Sequence, residues 1–120
     1  MSYPDPAVYD TLPKVLRYNA EHHGADVAMR EKDLGIWHET TWAQLYERVG
    51  KIAVRFRQLG IGKGDVVALI GDNDATWIAM ELAAHAAGAM TLGIYRDALE
   101  EEVGYLVDYA DVKLAYAEDQ

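Results

Sequence analysis

Val66-Val67-Ala68-Leu69-Ile70, followed at once by Gly71-Asp72-Asn73-Asp74, is the stretch that decides the fold. Five apolar residues without alternation predict a strand covered on both faces, as in a parallel sheet. The polar cluster then turns the chain. Asn73 or Asp74 is placed to cap a helix that runs to about Ala87 and stops at Gly88. Ala89 to Tyr95 reads as a second buried strand, and Lys113 to Ala117 as a third, shorter one. Between them Asp97 and Glu100 are expected to cap another helix, with Glu101 and Glu102 suited to its positive end. Strand, helix, strand, helix, strand with short connections predicts two right-handed βαβ units in a parallel sheet.

Upstream, Asp10 or Thr11 caps a first helix with Pro13 in its first turn. Leu12, Val15 and Leu16 are expected on one face, and Gly24 as the C-cap after His22 and His23. Val27–Glu31 and Ile36–Thr40 then form a hairpin through Asp33-Leu34-Gly35. Thr41 and Gln44 give a capping box for the clearest helix. Its apolar stripe is Leu45, Val49, Ile52, Ala53, Phe56 and Leu59, with Glu47 and Lys51 paired outside and Gly60 ending it. The fold class is therefore α/β: an N-terminal helix and β-hairpin followed by part of a parallel βαβαβ sheet.

The chain has 120 residues, room for one small domain. Twenty acidic residues against 11 basic ones give a formal charge of −9, which repels a phosphate backbone and argues against nucleic-acid binding. Cysteine is absent from the sequence, so there is neither a disulfide framework nor a thiolate metal site. Met1 to Pro6 lacks a basic start and an apolar run, and so does not read as a signal peptide. Ala75 to Met90 is interrupted by Glu81 and His85 and falls short of a spanning helix. The expectation is a soluble, cytoplasmic protein, with room for a peripheral membrane contact elsewhere in a longer chain.

Candidate chemistry is sparse. Gly60-Ile61-Gly62-Lys63-Gly64 closes a helix and enters a strand, the reverse of a phosphate loop, and reads as a tight connection. Gly71–Asp74 and Tyr95-Arg96-Asp97 lie at the carboxyl ends of parallel strands, where open α/β sheets bind ligands. Capping and a surface ion pair nevertheless account for these residues. Glu81 and His85 share a helical face, but two ligands without a third do not make a metal site. His22 and His23 suit a helix C-terminus, and His38 has no nucleophile to serve. No catalytic, cofactor-binding or metal-binding residue is assigned.

Taken together, several stretches resemble the adenylate-forming (AMP-binding) superfamily and, within it, the long-chain fatty acyl-CoA synthetases. They are Met29–Trp37 leading into Thr41-Trp42, Gly64–Asn73 with Trp77 following, and Gly93-Ile94-Tyr95 with Glu100 to Leu106. The resemblance runs from about Thr11 to Asp119. It implies that residues 1–120 are the N-terminal part of a larger ligase, ending before its phosphate-binding loop. It also implies a two-step reaction, in which a fatty acid carboxylate attacks the α-phosphate of MgATP, and coenzyme A thiol then displaces AMP. A Ser/Thr/Gly-rich loop ending in Lys, a Mg2+-binding acid, a ribose-binding Asp and a mobile C-terminal domain would do this work. None of those elements occurs within these residues, so the segment is expected to be inactive by itself. Its partners would be the rest of its own chain. Where relatives often have proline after Tyr95, this chain has Arg96-Asp97-Ala98.

Two features agree with an incomplete unit. Only two crossover helices are present to cover a parallel sheet, and the helix at 74–87 carries Trp77, Ile78, Met80 and Leu82 around its circumference. The alternatives are a stand-alone α/β binding or scaffolding domain that pairs its open sheet, and an adenylation domain serving a carrier protein.

Overall fold

The structure is a computed structural model and describes residues 3–117. Residues 118–120, part of the expected chain end, and Met1 and Ser2 of the N-terminal stretch lie outside the described residues. The elements run α1 (Leu12–His22), β1 (Val27–Asp33), β2 (Ile36–Thr41), α2 (Trp42–Gln58), β3 (Val66–Ile70), α3 (Ala75–Ala86), β4 (Met90–Ile94), α4 (Glu100–Tyr109) and β5 (Val112–Ala117). β1 and β2 form an antiparallel pair, and the other strands a parallel sheet in the order β4-β3-β5.

The continuous apolar run becomes the central strand. Val67, Ala68 and Leu69 are 0–1% exposed, and their backbones pair with Thr91, Leu92 and Gly93 on one side and Leu114, Ala115 and Tyr116 on the other. α3 meets the core through its smallest residues: Ala79, Ala83 and Ala84 are fully buried, whereas Trp77, Met80 and Leu82 pack around them only partly covered. Alanine at these positions lets a helix approach its neighbours closely. Leu16 of α1 and Leu45, Val49 and Phe56 of α2 complete the same core.

The helix ends follow from local chemistry. Thr11 Oγ1 accepts from the Lys14 N–H, and Thr41 and Gln44 make the reciprocal capping box. α2 closes on Leu59 with Gly60 at φ +83°: Gly60 N–H donates to Arg57 O and Ile61 N–H to Phe56 O. That is a Schellman motif, and buried Ile61 and Phe56 supply its apolar contact. α3 closes in the same way, through Gly88 (φ +90°) to His85 O and Ala89 to Ala84 O.

Some expectations need correction. Leu12 is 58% exposed; Leu16 is the residue of that face buried in the core, and Tyr18 is buried separately, against Tyr9 and His22. The C-cap of α1 is His23; Gly24 follows it without positive φ, at a close approach where a Cβ would stand 2.6 Å from Ala20 O. α4 is capped by Leu99 with no side-chain hydrogen bond. Asp97 lies two residues before that cap and Glu100 already inside the helix, so neither reaches the orphan N–H groups. Leu59 is half exposed at the end of its stripe. β4 is an edge strand of the described sheet with Met90 55% exposed, not a fully buried one.

The glycine-rich connection is held from within. Asp65 Oδ2 accepts the Gly62 N–H at 2.8 Å, and Lys113 Nζ reaches Gly60 O at 2.7 Å and Asp65 Oδ2 at 3.3 Å. The Gly62 N–H and then the Lys113 ammonium hold the Asp65 carboxyl below its ordinary range, against an opposing effect of burial. Because the folded pKa is lowered, the carboxylate stabilises the fold above the unfolded pKa and loses that contribution as pH falls through the folded one. Asp65→Asn is therefore expected to be less stable than the native chain at neutral pH, with the gap closing below about pH 4. Urea unfolding of both across pH checks this; a gap unaltered by acid would remove the carboxylate charge from the account.

Candidate functional site

The carboxyl edge of the parallel sheet gathers the residues of interest. After β3 the chain turns at Gly71 (φ +143°), whose N–H donates to Ile94 O at 3.4 Å and so ties the ends of β3 and β4 together. Asp74 then caps α3, its Oδ1 accepting from the Trp77 N–H at 2.8 Å. After β4, Tyr95 begins a turn closed by the Ala98 N–H on Tyr95 O. Arg96 Nη1 reaches back to Asp72 Oδ2 at 2.7 Å, joining the two turns. Both partners are more than half exposed, so the pair contributes about 0–1 kcal/mol to stability.

These turns border a cavity of about 470 Å³, lined by Gly71, Asp72, Asn73, Trp77, Gly93, Ile94 and Tyr95. Its apolar floor depends on a glycine. A Cβ at Gly93 would stand 3.2 Å from Trp77 Cζ2 and 3.5 Å from Cη2, so only a bare backbone lets the indole lie over β4. A larger cleft of about 730 Å³ runs between α1 and α2, floored by Leu16, Tyr46, Val49 and Val54. It lies away from the carboxyl edge. The smaller cavity lies at the carboxyl ends of β3 and β4, the edge at which open α/β sheets bind ligands; the switch in strand order falls on the other side of β3, between β3 and β5.

The remaining candidates are committed elsewhere. His85 Nε2 lies 3.1 Å from Thr91 Oγ1, which makes it a packing residue. His22 stacks on Tyr18 at 4.1 Å with Nδ1 3.0 Å from Tyr18 O, and His23 faces Asp26 at 3.7 Å. His38 is exposed on β2. Gly60–Gly64 lies at the amino end of β3, opposite the candidate site. Among the described residues no group of three or more His, Cys, Asp or Glu is arranged to hold a metal ion. The carboxyl edge can, among the described residues, form a wall and present the Arg96 cation, the Asp72 carboxylate and the Asn73 amide.

The reading of the sequence foresaw the edge and its ion-paired Arg96. It missed the Gly93–Trp77 contact, whose one available signal was a glycine inside a strand pattern.

Residues 16–120 match the AMP-binding enzyme family. The chain belongs to that family. This AMP-binding family chain is 28% identical over 109 residues to a long-chain-fatty-acid–CoA ligase of Mus musculus, an alignment covering 91% of the chain and 16% of the mouse protein. With long chain acyl-CoA synthetase 3 of Arabidopsis thaliana it shares 29% over 84 residues, 70% of this chain and 12% of the plant protein. The chain thus spans about a sixth of the length of the curated relatives it matches. Among solved structures it resembles the fatty acid AMP ligase of Legionella pneumophila (TM-score 0.84, 21% identity, 95% of this chain and 21% of that one). It also resembles the N-terminal subdomain of Klebsiella oxytoca NpsA in complex with anthranilyl-AMSN (TM-score 0.82, 19% identity, 97% and 30%). At such identities these two likenesses concern the fold alone.

Gly93→Val is expected to push Trp77 off β4, destabilising the chain by about 1–3 kcal/mol and shifting its tryptophan emission. Gly62→Val, where a Cβ meets open space, serves as the control. Denaturant unfolding followed by fluorescence checks both; equal behaviour of the two variants would show that the indole does not depend on Gly93.

Proposed function

We propose that this chain is the N-terminal part of an AMP-forming acyl-CoA ligase that activates a long-chain fatty acid with ATP and coenzyme A. The observation that carries this reading is the alignment with long-chain-fatty-acid–CoA ligases across nine-tenths of the chain. In such a reaction the acid's carboxylate oxygen attacks the α-phosphate of ATP, breaking the α–β bond and releasing pyrophosphate. The thiol sulfur then attacks the acyl carbon, with release of AMP and the thiol proton. Among the described residues no three or more His, Cys, Asp or Glu gather as a metal site, and the Lys113 ammonium is held by Gly60 O and Asp65. We therefore assign the phosphate loop, the metal site and the catalytic lysine to further residues of the polypeptide, and none of them to this segment. Its contribution is a wall: the apolar floor of Trp77, Gly93 and Ile94 suits the tail of an apolar acid, with Asn73 and the Arg96–Asp72 pair at the rim. We place the enzyme in the cytoplasm; no described helix is long and apolar enough to cross a membrane.

A second reading, an adenylation domain that loads a carrier protein, is favoured by the likeness to NpsA fused to a peptidyl carrier domain (TM-score 0.81, 18% identity). ATP–pyrophosphate exchange separates the readings. The 120-residue chain is expected to show no exchange, and the longer polypeptide that contains it to exchange with long-chain fatty acids and release acyl-CoA. Exchange by the short chain would refute its role as a wall, and transfer to a carrier in place of coenzyme A would replace the ligase reading with the second.

A further inference from the structure

Trp77, Glu81 and His85 recur at four-residue spacing and so share one face of α3. Thr91 and Gly93 share one face of β4, because side chains alternate along a strand. Two contacts show that these faces meet. His85 Nε2 lies 3.1 Å from Thr91 Oγ1 near the amino end of β4, and the Trp77 indole lies against Gly93 nearer its carboxyl end. Read inward from the carboxyl edge, the crevice between α3 and β4 therefore has an order. The open cavity with Gly71, Asn73 and Tyr95 on its lining comes first, then the indole, then Glu81, then the His85–Thr91 pair.

The indole is fixed at the boundary. Ala79, Ala83 and Ala84 are fully buried, so α3 has no room to shift toward the sheet. Asp74 Oδ1 holds the Trp77 N–H at 2.8 Å, which fixes the turn that carries the indole. On the opposite side, the bare backbone of Gly93 is what admits the ring: a Cβ there would stand 3.2 Å from Cζ2, inside ordinary contact distance. In front of the indole the surface is apolar over Gly93 and Ile94, and behind it the same crevice turns polar. An apolar chain entering at the carboxyl edge meets the ring where its favourable surface ends.

We infer that Trp77 sets the length of the acid's tail: the tail enters at the carboxyl edge, lies over Gly93 and Ile94, and stops against the indole. The inference rests on the ligase reading and deepens it, by assigning a specificity-determining residue within this segment. Trp77 takes no part in the chemistry at the carboxylate. The room gained by removing the ring is limited to the space of the ring itself, because Glu81 and the His85–Thr91 pair stand behind it.

ATP–pyrophosphate exchange with a homologous series of straight-chain acids tests this in the longer polypeptide that contains these residues. Trp77→Ala is expected to raise kcat/KM for acids longer than the native optimum, relative to the optimal acid, by roughly tenfold or more, since single methylenes in an apolar pocket count for that much. Trp77→Phe is expected to shift the profile the same way by less, and it keeps the test open where the alanine variant does not fold. Gly93→Ala fills the floor and crowds the ring, so its profile is expected to move toward shorter acids. A general loss of stability scales all acids alike and cannot move two variants in opposite directions. Native exchange with straight-chain acids together with unchanged length profiles in all the variants would overturn the inference and leave the ligase reading standing. Absence of exchange by the native polypeptide with every acid of the series would remove both.

Discussion

Everything else in this chain is arranged around the burial of one five-residue strand. Val67, Ala68 and Leu69 are closed off from water on both faces and on both edges, because β4 and β5 pair with β3 from either side. A strand in that position has no polar alternation to offer, and its backbone groups must all be satisfied by neighbours. The alanines of α3 answer the packing demand from one side, bringing that helix close enough to exclude water. Each fully buried valine or leucine removed from solvent contributes on the order of 1.5–3 kcal/mol. The periphery adds comparatively little: α4 contains no buried residue, and the hairpin's far half stands in solvent.

That constraint also creates the candidate site. A parallel strand must be left and re-entered through crossovers, so the carboxyl ends of β3 and β4 both open into turns on one edge. Gly71 ties those turns by a backbone hydrogen bond and the Arg96–Asp72 pair ties them by charge. At the opposite end, left-handed Gly60 and Gly88 close α2 and α3 with the same hydrogen-bond pattern, feeding the chain into β3 and β4. The glycine-rich stretch at 60–64 is thus a structural joint, and the candidate site lies at the edge without it.

Much of this was legible in the residues. The unbroken apolar run at 66–70 announced the central strand, Thr41 with Gln44 announced the capping box, and Asn73 or Asp74 announced the start of α3, which the structure caps with Asp74, because each signal is local and short-ranged. Asp97 and Glu100 misled as caps because a cap needs a set distance to the first free N–H groups, and α4 is capped at Leu99, two residues past Asp97. The order of the strands, the indole lying on Gly93 and the left-handed Leu34 were not legible. The first two depend on contacts between distant residues. The third depends on a turn type that leucine does not advertise. The site itself was visible only as an edge, since its apolar floor is assembled from α3 and β4 together.

Native-state hydrogen exchange measures the central claim most directly. If β3 is the constraint on which the rest depends, the amides of Val67, Ala68 and Leu69 exchange slowest of all, through global unfolding, while residues 30–39 of the hairpin and the first turn of α4 exchange by local opening. Exchange of the β3 amides at the rate of the hairpin tip would contradict the account, because the sheet would then open without unfolding the helices packed on it.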